Sequence, residues 1–174
     1  VLDHKPIRGV YLSQRYNNLK VVDKENGRKA DALNAGISVS TKELICSIDA
    51  DSILDPGVLQ KLLKSFIEDE KVIAAGGIVR IANGCEIEDS IVRKVGIPKN
   101  YLARIQSVEY LRSFLFGRIG WDYLKSLLII SGAFGVFKRE AVLNVGGYSH
   151  DTVGEDMELV VKLHRYYIEN NIDY

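Results

Sequence analysis

Short apolar runs alternate along this chain with longer segments whose apolar residues recur at helical spacing. The short runs are typical of strands, whereas apolar residues three or four positions apart are typical of helices. Strands are predicted at 20–23, 44–48, 72–79 and 127–137, helices at 27–39, 55–67, 101–116, 139–145 and 155–170, and a loop at 82–100. This alternation predicts an α/β domain with a mostly parallel sheet flanked by helices.

The composition is that of a globular protein. Of the 174 residues, 47% are hydrophobic and 26% are charged, and 23 basic residues balance 23 acidic ones. This balance predicts no bulk attraction to nucleic acid. The two cysteines, Cys46 and Cys85, are too few for a disulfide scaffold and fit a reducing cytosol. The chain begins at Val1 and shows no apolar span of membrane length, so we expect a soluble, single, partial domain over 1–174, cut from a longer protein.

Two aspartates, Asp49 and Asp51, directly follow the apolar run Leu44–Ile48. Because successive side chains of a strand alternate between its faces, Asp49 and Asp51 are predicted to point the same way, with Ala50 opposite. Ligand sites in open α/β sheets lie beyond the carboxyl ends of the strands. Two carboxylates there can share Mg²⁺ or Mn²⁺, which also binds phosphate oxygens. The alternative is a turn or a helix cap, where Asp is common.

Three further segments carry candidate site residues. In NGRKADALNAG (26–36), Lys29 can reach a phosphate from the start of a helix, and Asn34 can hold a loop or a ligand. An exposed helix is the alternative. Small residues (Ser131, Gly132 and Ala133) interrupt the apolar run at 127–137, which is typical of close approach by a ligand or of a β-bulge. Glu155 and Asp156 precede the last helix, where the dipole favours acids and where a carboxylate can serve as a general base.

Taken in order, these segments resemble family 2 glycosyltransferases of the GT-A fold. The resemblance is to the bacterial membrane-bound, cellulose synthase-like branch, which includes hyaluronan and poly-N-acetylglucosamine synthases. The matching elements are GRKADALNAG at 27–36, DAD at 49–51, SGAFG at 131–135, KREA at 138–141, VGGY at 145–148 and GED at 154–156. The ordered set is far more specific than any one motif.

The resemblance implies that a sugar is transferred with inversion from a UDP-sugar donor to a hydroxyl of a glycan or lipid-linked acceptor. Asp49 would face the nucleotide, Asp51 would hold Mg²⁺ or Mn²⁺, and Lys29 and Asn34 would lie on the donor side. Asp156 would be the general base. The acceptor side would comprise Glu155, Ser131, Gly132 and Ala133. The parent protein would act at the cytoplasmic face of the bacterial inner or plasma membrane, which it would reach through parts outside this sequence.

Two elements of the family have no match here. We expect its first strand and acidic uridine-binding loop before Val1, and the Q-x-x-R-W element after Tyr174. A haloacid dehalogenase-like phosphatase is an alternative, with Asp49 as nucleophile and Asp51 as acid or base, but it leaves GRKADALNAG unexplained. A catalytically inert membrane-docking fragment is a second alternative.

The helix predicted at 101–116 and the segment FGRIGWDYL after it have no assigned role. The helix carries an apolar face of Tyr101, Ile105, Val108, Leu111 and Leu115, together with Arg104, Arg112, Arg118, Phe114, Phe116 and Trp121 on or near it. Three interpretations remain open. The helix can pack on the sheet with Trp121 in the core, it can lie at a membrane interface, or Trp121 can stack on an acceptor sugar.

Overall fold

The structure, a computed structural model, describes residues 1–123 and 127–174, without the side chains of Leu115, Phe116, Arg118, Ile119 and Asp122. The strands are β1 (Ile7–Leu12), β2 (Lys20–Lys24), β3 (Leu44–Ile48), β4 (Ala74–Gly76), β5 (Glu86–Glu88), β6 (Ile91–Lys94) and β7 (Phe134–Lys138). The helices are α1 (Arg28–Val39), α2 (Val58–Glu68), α3 (Tyr101–Leu111), α4 (Arg118–Tyr123), α5 (Arg139–Asn144) and α6 (Glu155–Glu169), and a π-helical turn, Arg112–Gly117, joins α3 to α4.

The chain divides into two compact units. Unit 1 comprises residues 1–46 and 137–174, and unit 2 comprises residues 47–136. The chain passes from one unit to the other within β3 and again within β7. These two strands belong to a three-stranded sheet of order β3-β7-β4, and β1–β2 and β5–β6 form separate two-stranded sheets.

The strand pairs with a described register are antiparallel, whereas the alternation of elements predicted mostly parallel neighbours. β1 pairs with β2, with Val10 opposite Val22. β5 pairs with β6, with Ile87 opposite Val92. In both pairs the connection is too short for the crossover that parallel strands need.

The predicted loop at 82–100 contains the β5–β6 hairpin. Asp89 and Ser90 connect its strands with positive φ angles of 52° and 60°, which is the two-residue turn that suits the twist of a hairpin. Sequence reasoning missed it because these strands are short and polar, and because Asp-Ser is a weaker turn signal than Asn-Gly.

Three predicted elements have clearly different bounds, and the first is the strand predicted at 72–79, of which only β4 (Ala74–Gly76) forms. Helix α2 begins at Val58, after Gly57 with its φ of 78°, and not at Asp55 as predicted. Asp55 instead accepts the Val58 amide through its carbonyl at 3.1 Å. The predicted strand at 127–137 is reduced to β7, because residues 131–133 form a turn before it and do not interrupt it.

Each unit buries its own apolar residues. In unit 1 they come mainly from α1, α5 and α6, and include Ala35, Ile37, Ala141, Val142, Leu159, Val160 and Leu163. In unit 2 they are Phe66, Ile73, Ala103, Ile130, Phe134 and Val136. Burying a Leu, Val, Ile or Phe side chain stabilises a fold by roughly 1.5–3 kcal/mol.

Asp31 is a buried acid of unit 1, on α1. Lys24 Nζ lies 2.7 Å from Asp31 Oδ2, and the Lys5 amide donates to Oδ1 at 2.8 Å. Burial alone raises the pKa of Asp31, but these hydrogen bonds and the charges of Lys24 and His150 outweigh it and hold the pKa below its usual value. The carboxylate therefore fixes β2 and the N-terminal segment to α1.

Asp31 should make folding stability depend on pH on the acid side. Its pKa is lowered in the folded state, so its contribution is present above the unfolded pKa of about 4 and is lost as the pH falls through the folded pKa. Urea unfolding between pH 7 and pH 3 should show a smaller acid loss in Asp31→Asn, which is also less stable at pH 7. The exposed Asp151→Asn serves as control, and parallel curves for wild type and Asp31→Asn would contradict this role.

Candidate functional site

The first turns of α1 and α6 meet in unit 1. Lys29 follows the first residue of α1, and its Nζ lies 3.6 Å from Oε1 of Glu155, the first residue of α6. Before it, Arg28 adopts a φ of 70°, which is unusual for a residue with a side chain. Two motifs that are far apart in sequence are thus brought together.

The N-terminus of α6 is acidic. Its first turn contains Glu155, Asp156 and Glu158, and Gly154 before it offers no capping side chain. Asp156 is half-buried, and its Oδ1 accepts the Met157 amide at 2.9 Å. The first amides of a helix lack intrahelical partners and form the positive end of its dipole, so carboxylates are stabilised here.

Asn34 is completely buried and holds a loop in place. Its Nδ2 donates to the carbonyls of Asp3 and Tyr148, both at 2.9 Å, and its Oδ1 accepts the Tyr148 amide at 2.9 Å. These contacts favour the loop-holding alternative for Asn34. Its predicted role in donor binding stays a prediction.

A polar network that the sequence analysis missed connects this loop to α6. Ser149 Oγ donates to Glu158 Oε1 at 2.9 Å. Lys162 Nζ lies 2.9 Å from the same oxygen, donates to Ser149 Oγ at 2.6 Å and reaches the Gly147 carbonyl at 3.2 Å. The spacing of Glu158 and Lys162, four residues apart on a helix, is the sequence signal that could have pointed to the pair.

In unit 2, the two aspartates lie on a turn and not on a strand. β3 ends at Ile48, and the Ser52 amide donates to the Asp49 carbonyl at 3.0 Å. Alternation along a strand therefore gives no reason for Asp49 and Asp51 to point the same way. Asp49 is half-buried and Asp51 is exposed.

This turn contacts the segment of small residues. The Asp49 amide and Ser52 Oγ both donate to the Ala133 carbonyl, at 3.2 and 3.3 Å. Ser131 closes its own turn, since its Oγ accepts the Ala133 amide and its carbonyl accepts the Phe134 amide. The proposed β-bulge is thus wrong, and residues 131–133 are a turn stabilised by a serine side chain.

Asp49 and Asp51 have the chemistry of Mg²⁺ or Mn²⁺ ligands, but they could hold an ion only together with oxygens of a substrate. Among the residues that the structure describes, no group of three or more His, Cys, Asp or Glu side chains could hold a metal alone. Mg²⁺ is usually held by one or two carboxylates together with substrate phosphates and water. Asp49 and Asp51 supply carboxylates of this kind, next to a turn that leaves Asp51 accessible.

Comparison with known proteins identifies the family. The model of glycosyl transferase family 2 matches residues 10–145, which include GRKADALNAG, DAD and SGAFG. The chain belongs to glycosyl transferase family 2. Membership confirms the GT-A type of α/β fold expected from the resemblance. It also argues against the alternative that the chain is a haloacid dehalogenase-like phosphatase.

Two relatives in this family are polysaccharide synthases by name. The chain is 31% identical over 156 residues to the poly-β-1,6-N-acetyl-D-glucosamine synthase of Staphylococcus aureus strain COL, and 30% identical to that of Staphylococcus epidermidis. Each alignment covers 89% of this chain and 34% of the relative. The chain thus spans about a third of the length of these relatives. In the part of the chain that the structure describes, each helix is too short or too polar to cross a bilayer.

Gly147 should tolerate a side chain far less well than its neighbour. Both Gly146 and Gly147 have positive φ angles, of 80° and 72°, but only at Gly147 would a Cβ lie 2.6 Å from Asn34 Oδ1. We expect Gly146→Ala to cost roughly 1–2 kcal/mol for the backbone. Gly147→Ala should cost about 1–3 kcal/mol more, because it also crowds the buried amide. Chemical denaturation of the two variants tests this, and equal losses would mean that the Asn34 contact does not limit the site.

Proposed function

We propose that the chain carries the donor and base residues of an inverting glycosyltransferase that builds a polysaccharide from a UDP-sugar. The observation that carries the proposal is that the first turns of α1 and α6 meet. This contact puts Lys29 against Glu155, and Glu155 directly precedes Asp156 in the sequence. An ammonium group can bind a leaving diphosphate, and a carboxylate can act as the base for an acceptor hydroxyl. The names of the relatives support a polysaccharide as product.

On the donor side, Lys29 would bind the diphosphate. The side chains of Lys29 and Glu155 are 41% and 21% exposed, and their charged atoms are 3.6 Å apart. Such a pair is weak, at about 0–1 kcal/mol, so a phosphate oxygen can replace Glu155 as partner of the ammonium group. The N-terminus of α1 adds the positive end of a helix dipole, which favours an anion.

Asp49 would face the nucleotide, and Asp51 would hold the metal ion. When bound, a Mg²⁺ or Mn²⁺ ion would neutralise charge on the departing diphosphate. The accessibility of Asp51 on its turn supports this role. The hydrogen bonds from the Asp49 amide and from Ser52 to the Ala133 carbonyl keep the turn in a fixed conformation.

Asp156 would take the proton from the acceptor hydroxyl. Its backbone lies in the first turn of α6, one residue after Glu155, and its side chain is half-buried. Removal of the proton increases the nucleophilicity of the hydroxyl oxygen as it attacks the anomeric carbon. The carbon–oxygen bond to UDP breaks, and UDP leaves as the anion. No covalent enzyme intermediate is required for a single inverting displacement.

The acceptor would be a glycan or lipid-linked sugar at the cytoplasmic face of the bacterial membrane. The small residues Ser131, Gly132 and Ala133 leave room for it, since no large side chain projects from their turn. Glu155, once released from Lys29, is available to accept a hydrogen bond from a sugar hydroxyl. Membrane attachment of the parent would use parts beyond this sequence.

Asp51 should be required for metal-dependent UDP binding. In calorimetric titrations of UDP, UDP-glucose and UDP-N-acetylglucosamine with Mn²⁺, we expect Asp51→Asn to weaken binding at least tenfold, because a metal ligand is lost. Chelation of Mn²⁺ should have the same effect on wild type. Asp55→Asn, an exposed aspartate four residues away, is the matched control. The assignment of Asp51 would be contradicted if wild type bound UDP equally well with and without Mn²⁺. It would also be contradicted if Asp51→Asn bound UDP as tightly as wild type.

Asp156 should be required for transfer but not for donor binding. Asp156→Asn keeps the size of the side chain but cannot accept the proton, so the turnover of UDP-N-acetylglucosamine should fall by about 10²–10⁴-fold. UDP affinity should change by less than about threefold, a small difference in binding free energy. Asp151→Asn, in the loop before α6, is the control. A variant that retains most of its turnover would exclude Asp156 as the base.

A further inference from the structure

The large apolar residues of α3 point away from the protein. Those exposed are Tyr101 (74%), Leu102 (73%), Ile105 (46%), Val108 (63%) and Leu111 (43%); we call these five the α3 surface. The inward side of the helix carries Ala103, which is buried, with Ser107 and Tyr110 half-buried. An ordinary amphipathic helix of a globular protein has the opposite arrangement, with its large apolar row against the core.

Exposed apolar residues also flank α3 in the sequence. Val95 and Ile97 precede the helix and are exposed, and Trp121 and Tyr123 follow it on α4 and are also exposed. Of the three interpretations left open, the one that places Trp121 in the core is therefore wrong. Scattered exposed apolar residues are normal on a protein surface, but a contiguous row marks a contact with a partner or a membrane.

The charges of this segment match an anionic surface. Residues 95–123 contain four basic residues (Lys99, Arg104, Arg112 and Arg118) and two acidic ones (Glu109 and Asp122), so the segment has a net charge of +2 in a chain of net charge zero. The exposed Glu109 is paired with Arg112 at 3.0 Å. Basic side chains beside exposed leucine, valine, tyrosine and tryptophan form the pattern of an element that lies in the headgroup region of a bilayer.

The geometry points to the α3 surface as a membrane contact, in which α3 lies along an anionic phospholipid bilayer with its apolar row between the headgroups and the acyl chains. The inference rests on the proposed function only in placing the parent enzyme at a membrane, and it is independent of donor and metal. A bilayer explains both the outward apolar row and the surrounding positive charge. A protein partner or a second copy of this chain would need an acidic, apolar counterpart. The acids of the hairpin β5–β6, Glu86 and Glu88, lie beside Lys94 and Arg93 of the same hairpin, so that surface carries little net negative charge.

The chain contains its own reporter of this contact. Trp121 is the single tryptophan and lies on the helical segment that continues from α3. Its fluorescence can be followed while the 174-residue chain is titrated with vesicles of phosphatidylcholine containing 30% phosphatidylglycerol, and with pure phosphatidylcholine as reference. We expect a blue shift and protection from acrylamide quenching with anionic vesicles. The effect should weaken as salt is raised, because screening reduces the attraction of basic residues to lipid headgroups.

A pair of surface variants tests the apolar row. Leu102→Gln with Val108→Gln replaces two exposed side chains, so the fold should be retained, as circular dichroism and the urea midpoint will show. Because each buried methylene contributes to partitioning, vesicle affinity should fall at least about tenfold. Ile67→Gln, on α2 of the same unit and 80% exposed, is the matched control and should bind vesicles like wild type.

Several outcomes would overturn the inference. If folded wild type shows no fluorescence shift and does not sediment with anionic vesicles, the α3 surface is not a membrane contact. Equal binding by the double variant would assign the contact to another surface. A fluorescence shift that depends on protein concentration without vesicles, together with dimers in sedimentation, would assign the α3 surface to self-association. UDP titration of the same sample separates these outcomes from failure of the proposed function, since donor binding involves none of these residues.

Discussion

The side-chain amide of Asn34 joins parts of unit 1 that are up to 114 residues apart in sequence. It donates to the carbonyls of Asp3 and Tyr148 and accepts from the Tyr148 amide. Each of these groups would cost roughly 1–3 kcal/mol if it were buried without a partner. The network is therefore stable only when complete, and it fixes the distance between α1 and the loop at 147–149. The position of α6 follows from that loop through Ser149, Glu158 and Lys162.

Two lysines near the start of α1 show how burial separates a structural charge from a functional one. Lys24 is 10% exposed and pairs with Asp31, which is 1% exposed. In such a pair, removal of either partner leaves an uncompensated buried charge, so the pair cannot be exchanged for a ligand. Lys29 is 41% exposed, and its pairing with Glu155 costs little to break. The chain thus keeps one lysine fixed for folding and leaves the other able to bind an anion.

The sequence predicted most elements of unit 1 within one or two residues. β2, α1, β3 and α6 were predicted because their apolar periodicity and helix-forming composition agree. The hairpin β5–β6 was not, because its pairing is set by the backbone conformation of two turn residues and not by an apolar pattern. The end of β3 was predicted, but the turn after it was not. Strand alternation was therefore wrongly used to infer the directions of the Asp49 and Asp51 side chains.

The sequence supplied a set of candidate site residues, but it did not predict which of them contact one another. The order of the motifs singled out Lys29, Asp49, Asp51 and Asp156 as candidates, and the family model covers the positions of the first three. The contact of Lys29 with Glu155, and of the Asp49 turn with Ala133, depends on tertiary packing, which local periodicity does not contain. Asn34 is the clearest example, since an asparagine in a motif looks the same whether its amide faces a nucleotide or a buried loop.

The helix α3 shows why apolar periodicity alone does not identify a core. Periodicity places Tyr101, Ile105 and Val108 in one row, but it does not say what lies against that row. Small side chains such as Ala103 and Ser107 allow a helix to approach its neighbour closely, whereas a row of large residues needs an apolar environment of its own. In this chain the small row faces the protein, so the apolar environment for the large row must come from outside it. The positive charge beside that row makes an anionic bilayer the environment that satisfies both the apolar and the basic side chains.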